Sequence, residues 1–319
     1  MKKRILIIGA SGQIGTELTY QLRKKYEPHK VIASDIQEGD DVLLNGGTFE
    51  ILDATDFSAV EDIVIRYEIT DVYLMAAMLS ATAEKFPMKG WDLNMNSLFN
   101  ILNLARDNTI EKVFWPSSIA VFGPSTPRID TPQRTIMEPT TVYGISKQTG
   151  ERWCEYYHDR YGVDVRSIRY PGLISYNTLP GGGTTDYAVD IYHKAVKHKK
   201  YVSFLNAETT LPMMFIDDAI NATISIMEAP SEKIKVRSAY NLAAVSFNPE
   251  EIAASIKKYI PEFEIGYKPD FRQAIADSWP ESIDDRQARK DWGWQHHFDL
   301  DRMTDVILKG LREGSEVVQ

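Results

Sequence analysis

The stretch RILIIGASGQIG, residues 4–15, joins a short apolar run to a glycine turn. The run Ile5–Ile8 has no polar alternation, which predicts a strand buried on both faces. Three glycines follow at Gly9, Gly12 and Gly15, and QIGTELTYQLRKKY (13–26) continues at helical spacing. Strand, glycine turn and helix in that order form a phosphate-binding turn. Gly9 permits the tight turn, Gly12 lets the backbone approach a pyrophosphate at a helix N-terminus, and Gly15 allows close helix packing. The lysine and arginine before the run give it the look of a secretion signal, but it is short and Gly9 breaks it, so a first strand is the expectation.

Working outward, Asp35 ends the next apolar run, KVIASD (30–35), 20 residues after Gly15. A carboxylate there would hold ribose hydroxyls and repel a 2′-phosphate, and no arginine follows in Asp35-Ile36-Gln37-Glu38, so NAD is expected rather than NADP. Asp53 ends FEILD (49–53); it would meet the adenine edge or cap the following helix.

Further strand runs are DVYLMAA (71–77), EKVFWPSS (111–118) and VDVRSIRYPG (163–172), alternating with helical stretches at 57–67, 91–108 and 141–161. This alternation predicts an α/β fold, a Rossmann-type doubly wound parallel sheet. From about residue 176 the texture changes to a glycine-threonine loop (177–187) and short strands such as 201–205 and 213–216 among helices such as 248–260. A smaller interleaved C-terminal α/β lobe is expected: residues 1–175 as the dinucleotide domain, 176–319 as the substrate lobe, with about 213–245 returning to the first. The tail after Gly310 is polar and is expected to fray.

Composition narrows the function. With 319 residues, 43% of them apolar, the chain can bury a large core. A net charge of −9 and a pI near 5.3 leave no basic footprint for nucleic acid or an anionic membrane. No run approaches the roughly 20 apolar residues of a membrane helix. One cysteine, Cys154, permits no intrachain disulfide and no four-thiolate metal site, and the six histidines lack ligand spacing, so no metal is expected. A reducing, cytoplasmic location is the expectation.

The stretch TVYGISKQTGERWC (141–154) carries the chemistry. Thr140 and Thr141 are candidate caps, and Tyr143 and Lys147 then share a helix face one turn apart. A free phenol titrates near pH 10; a neighbouring ammonium and a positive nicotinamide would stabilise its phenolate and make Tyr143 a general base towards an alcohol. Ser118 ends a central strand, where such folds bind ligands, and would share the reacting oxygen. Ser117 would contact cofactor or cap the strand end. Cys154 lies about 16 Å further down the helix and is expected to be a core thiol.

Together GASGQIG (9–15), Asp35, Asp53, AAMLS (76–80), Asn96, PSSIAVFG (116–123), Tyr143 with Lys147, and RYPGLIS (169–175) resemble the extended short-chain dehydrogenase/reductase family over nearly the whole chain. The resemblance implies a Ser118/Tyr143/Lys147 catalytic set and an NAD site drawn from Gly9, Ser11, Gly12, Gln13, Ile14, Gly15, Asp35, Ile36, Leu52, Asp53, Ala76, Ala77, Met78, Asn96, Ser117, Tyr143, Lys147, Tyr170 and Leu173. Asn96 matches the position that supports the active-site geometry. Family members also commonly pair through the helices flanking the sheet, which implies a homodimer.

Within that family, nucleotide-sugar epimerases and dehydratases usually carry polar anchors before a paired Asp, where this chain reads LPMMFIDDAI (211–220). The stretches at 179–193, 240–265 and 269–294 look instead like the short-chain-type L-threonine 3-dehydrogenases. That resemblance implies L-threonine as substrate, oxidised at its C3 hydroxyl to 2-amino-3-oxobutanoate. Ser80, Ser118, Tyr143, Thr184, Thr185, Asp186 and Trp279 would contact it, under a loop at Gly181–Gly183 able to close. Asp186 would meet the ammonium or cap a helix; Trp279 would cover the site or belong to the lobe's core. The alternatives are a nucleotide-sugar epimerase or dehydratase of the same fold, a non-catalytic NAD sensor, and a zinc alcohol dehydrogenase, against which the one cysteine and unclustered histidines weigh. The retained serine, tyrosine and lysine weigh against the sensor.

Overall fold

The computed structural model describes residues 3–107, 109–176 and 183–316. Its strands are β1 (Ile5–Ile8), β2 (Val31–Asp35), β3 (Phe49–Ile51), β4 (Asp71–Leu74), β5 (Lys112–Ser118), β6 (Asp164–Tyr170), β7 (Gly172–Ile174), β8 (Lys200–Ser203), β9 (Leu211–Phe215), β10 (Tyr240–Asn241), β11 (Val245–Phe247) and β12 (Glu264–Tyr267). Its helices are α1 (Gln13–Lys25), α2 (Asp41–Asn45), α3 (Phe57–Arg66), α4 (Ser80–Lys85), α5 (Pro87–Arg106), α6 (Val142–Tyr161), α7 (Tyr187–His198), α8 (Ile216–Glu228), α9 (Pro249–Lys257), α10 (Arg272–Asp277), α11 (Arg286–Trp292) and α12 (Leu300–Glu316).

The main sheet has seven strands in the order β10-β6-β5-β4-β1-β2-β3, all parallel. Successive residues of β1 face opposite sides: Ile5 and Ile7 enter one core, Leu6 and Ile8 the other. Both cores need helices over them, hence the crossover connections. The chain leaves β1 in one direction towards β2 and β3, and later in the other towards β4 and β5. This reversal opens a crevice at the carboxyl ends of the strands.

The expected single strand over 163–172 is two. Pro171 has no N–H to donate, so the ladder with β5 ends at Tyr170, and β7 continues in a second sheet of order β11-β9-β7. Within 213–245, β10 pairs with β6, and α8 packs on α1. A third sheet pairs β8 with β12. The tail departs from expectation: α12 continues to Glu316, and Gly310 lies where an added Cβ would come within 2.4 Å of the Tyr176 ring.

Candidate active site

The glycine turn is built by close approach. Gly9 has φ +89°, and a Cβ on it would lie 2.4 Å from the Ala76 nitrogen; one on Gly15 would lie 2.1 Å from the Gly9 carbonyl. Gly12 differs, because an added Cβ there would meet only the Gly9 oxygen, at 3.6 Å. Its backbone therefore faces open space at the start of α1. The Asp35 carboxylate accepts from the Ser11 N–H at 3.0 Å and from the Ile36 N–H at 2.8 Å, which ties the ends of β1 and β2 together. These residues fit a dinucleotide: a bare backbone for the pyrophosphate and an acid one strand over for the ribose.

Helix α6 starts where expected. Thr141 is its N-cap, accepting from the Gly144 N–H at 3.1 Å. Tyr143 and Lys147 then face the end of β5. The Ala120 N–H donates to Ser118 Oγ at 3.2 Å, and Ser118 hydrogen-bonds the Tyr143 phenol. Lys147, 2% exposed, donates to the Pro116 carbonyl at 2.6 Å and sits over the Trp115 ring at 4.4 Å.

Burial dominates the electrostatics of this pair. Burial pushes the Tyr143 phenol up to about 12, with the Ser118 hydrogen bond pulling it back. Burial pushes Lys147 down to about 7, against the raising influence of Cys154 and Glu151. Desolvation is the largest influence on each of the two groups. The ammonium is held by a backbone carbonyl, 5.6 Å from the centre of the tyrosine ring.

A cleft of about 500 Å³ collects most of the expected residues. Gly9, Ser11, Gly12, Gln13, Ile14, Gly15, Ala77, Ser117, Ser118, Tyr143, Lys147, Tyr170 and Leu173 line it, and so do Ser80, Thr184, Thr185, Asp186 and Trp279. Ile36, Leu52 and Asp53 lie outside this lining with Asp35, at the carboxyl ends of β2 and β3. Asp53 caps no helix: its carboxylate accepts from the Thr55 N–H and hydroxyl, at 2.8 and 2.7 Å, while Asp56 caps α3. Residues 177–182, including Gly181 and Gly182, lie outside the described residues.

Several expected roles are redistributed. Asn96 is exposed; the buried amide of α5 is Asn94. Asn94 accepts from the Met78 N–H at 2.8 Å and donates to Ser146 Oγ at 3.0 Å, and Ser146 donates to the Tyr143 carbonyl at 2.8 Å. Asn94 is thus the residue linking α5 to the first turn of α6. Two positions along a helix turn a side chain by roughly 200°, so Asn96 cannot share that face. Asn94 falls in step with the buried Gly90, Leu98 and Ile101, a periodicity present in the sequence.

The Ser117 hydroxyl is engaged by Glu151, donating to its Oε1 at 2.6 Å. Asp186 precedes α7 without capping it by its side chain; its Oδ2 accepts from the Gly183 N–H at 2.7 Å. Trp279, 7% exposed, belongs to the lobe's core and also lines the cleft wall. The Tyr170 hydroxyl bonds Thr223 of α8. Thr82, in the unforeseen short helix α4, also lines the cleft. Cys154 is fully buried, with burial pushing its thiol up. Among the described residues no cluster of three or more His, Cys, Asp or Glu could hold a metal, and no helix is long and apolar enough to cross a membrane.

Residues 5–243 match the NAD dependent epimerase/dehydratase family. An uncharacterised epimerase/dehydratase of Staphylococcus haemolyticus is 50% identical, over 98% of each chain. Among solved structures, a GalE-like L-threonine dehydrogenase from Cupriavidus necator in its holo form is 56% identical, with a TM-score of 0.94 over 97% of this chain and 99% of that one. The L-threonine dehydrogenase of Clostridium difficile is 48% identical, with a TM-score of 0.96 over 98% of each chain.

Proposed function

The chain belongs to the NAD dependent epimerase/dehydratase family, and from that premise we propose that it is an NAD-dependent L-threonine 3-dehydrogenase. The observation that carries this reading is the make-up of the cleft. Ser118, Tyr143 and Lys147 meet there with Ser80, Thr184, Thr185 and Asp186, a set of short hydroxyls and one carboxylate suited to a small zwitterionic alcohol. The similarity to L-threonine dehydrogenases at 48–56% identity supports the same substrate. A nucleotide-sugar substrate is disfavoured because Met213 and Met214 of β9 are fully buried and offer no polar anchor.

Gly12, the first turn of α1 and Asp35 would hold NAD, with Lys147 donating to the nicotinamide ribose. Bound NAD supplies the hydride acceptor. Tyr143 takes the proton of the C3 hydroxyl while the C3–H bond gives up its electron pair, leaving the ketone of 2-amino-3-oxobutanoate. Ser118, its oxygen already engaged by the Ala120 N–H, orients that hydroxyl. The Lys147 ammonium offsets the charge on the phenolate. A cytoplasmic location and a homodimer paired through α5 and α6 complete the reading.

The test is NADH formation by the purified protein with NAD and L-threonine, beside D-threonine, allo-threonine, serine and UDP-sugars. Turnover of L-threonine is expected. Turnover of a UDP-sugar with silence on threonine would overturn the substrate.

A further inference from the structure

Three consecutive residues at the end of β5 are each tied to a different turn of α6. Ser118 bonds the Tyr143 phenol, the Pro116 carbonyl accepts from Lys147 Nζ at 2.6 Å, and Ser117 Oγ donates to Glu151 Oε1 at 2.6 Å. The first two ties involve reacting groups. The third does not, and it lies between the other two in the strand.

Glu151 is fully buried, one turn beyond Lys147. Both of its oxygens are engaged. Arg169, 2% exposed, donates from Nε to Oε1 at 2.8 Å and from Nη2 to Oε2 at 2.7 Å. Arg169 is the direct neighbour of Ser117 in the β5–β6 ladder. Its remaining nitrogen, Nη1, donates to the Gln133 carbonyl at 3.0 Å and to Asn241 Oδ1 of β10 at 2.9 Å. A bidentate pair anchored at both ends holds the carboxylate in one place.

We propose that Glu151 is a positioning residue. By clamping Ser117, it sets the Pro116 carbonyl and the Ser118 hydroxyl at the spacing that Lys147 and Tyr143 require. Removing the clamp lets the strand end shift against α6, and Lys147 loses its alignment with both the phenol and the cofactor ribose. A displacement of about 1 Å in such a set is worth up to a hundredfold in rate.

Glu151→Gln would strand the buried Arg169 guanidinium and unfold part of the population, so the test uses milder changes. Ser117→Ala removes the clamp and keeps the ion pair. Glu151→Asp keeps the charge and withdraws it by one methylene. For both, NADH affinity is measured by fluorescence titration, kcat and KM by turnover, and the thermal midpoint by calorimetry. The expected result is a kcat lower by about tenfold, NADH binding weaker by about threefold, and a KM for the alcohol within about twofold. Ser117→Thr, which returns the hydroxyl, should restore kcat and NADH affinity.

Unchanged kcat and NADH affinity in both variants would overturn the proposal. So would losses that follow the thermal midpoint and are not restored by Ser117→Thr. The turnover arm rests on the dehydrogenase reading, but the NADH titration does not. A parent protein silent on threonine, with NADH binding still weakened by Ser117→Ala, would sink the substrate assignment and leave the clamp standing.

Discussion

Lys147 and Tyr143 share one face of α6, yet the lysine is bonded to Pro116, and its Nζ lies 5.6 Å from the centre of the tyrosine ring. Burial acts on the two groups in opposite directions, raising the phenol and lowering the ammonium. Both are thereby favoured in their neutral forms, which makes the cost of charging them part of the chemistry.

Replacing Tyr143 by Phe removes the phenol, the proton acceptor of the proposed reaction, and little volume. Turnover should fall by about 10²–10⁴-fold, with NADH affinity within about twofold of the parent. Steady-state rates beside a fluorescence titration would check this, and a variant with parental kcat would remove Tyr143 from the reaction.

Lys147 makes a stability prediction with a definite sign. Its folded-state value is about 7, against an ordinary 10.5, so the unfolded chain holds the extra proton between those values. Stability from this group therefore rises with pH across that window and is lost as pH falls through about 7. Tyr143, held up to about 12, acts in the opposite sense above its ordinary value of 10.0. Lys147→Met should flatten the rise, increase the melting temperature by about 5 °C at about pH 6, and abolish turnover. Calorimetry across pH checks the slope, and an unchanged slope would exclude Lys147 as its source.

The two asparagines of α5 separate cleanly. Asn94→Ala leaves the Met78 N–H and Ser146 without their partner and should cost about 1–3 kcal/mol, with a loss of kcat. Asn96→Ala, on the exposed face, should change stability by no more than about 0.5 kcal/mol. Denaturant midpoints of the pair decide it, and equal midpoints would count against the assignment of Asn94.

Asp35→Asn keeps an acceptor for the Ser11 N–H and removes the negative charge. NAD affinity should fall by about tenfold, while NADP, no longer repelled, should gain. Comparing kcat/KM for the two cofactors tests it; an unchanged preference for NAD would free Asp35 from that role.

Gly150 leaves no room for a side chain between α6 and β5, since an added Cβ would lie 2.3 Å from the Trp115 ring. Gly150→Ala should therefore push the helix away from the strand that carries Ser118. A cost of about 1–3 kcal/mol is expected, with kcat falling more than KM changes. A stability equal to that of the parent would show that the ring yields instead.

Much of this molecule was legible in the linear chain because its signals are local. Ile5–Ile8 with Gly9, Gly12 and Gly15 specify strand, turn and helix by backbone sterics and periodicity alone. Tyr143 and Lys147 share a face because four residues make about one helical turn. Asn94 was also within reach, being in step with Gly90 and Leu98 on the buried stripe of α5. Other features had no local signal. Pro171 ends one ladder, but nothing nearby says which sheet β7 joins next. The two-residue strand β10 exists only because β6 offers it an edge.

The sequence by itself determined the nucleotide fold, and it marked Asp35, Ser118, Tyr143 and Lys147 as the candidates for cofactor and chemistry. Only the tertiary structure decided that the Ser117 hydroxyl belongs to Glu151, that Lys147 rests on the Pro116 carbonyl, and that burial raises the phenol and lowers the ammonium. Turns and helix faces follow from neighbours in the chain. Desolvation and hydrogen-bond partnership depend on which distant segments exclude water from a group, and spacing along one chain does not carry that information.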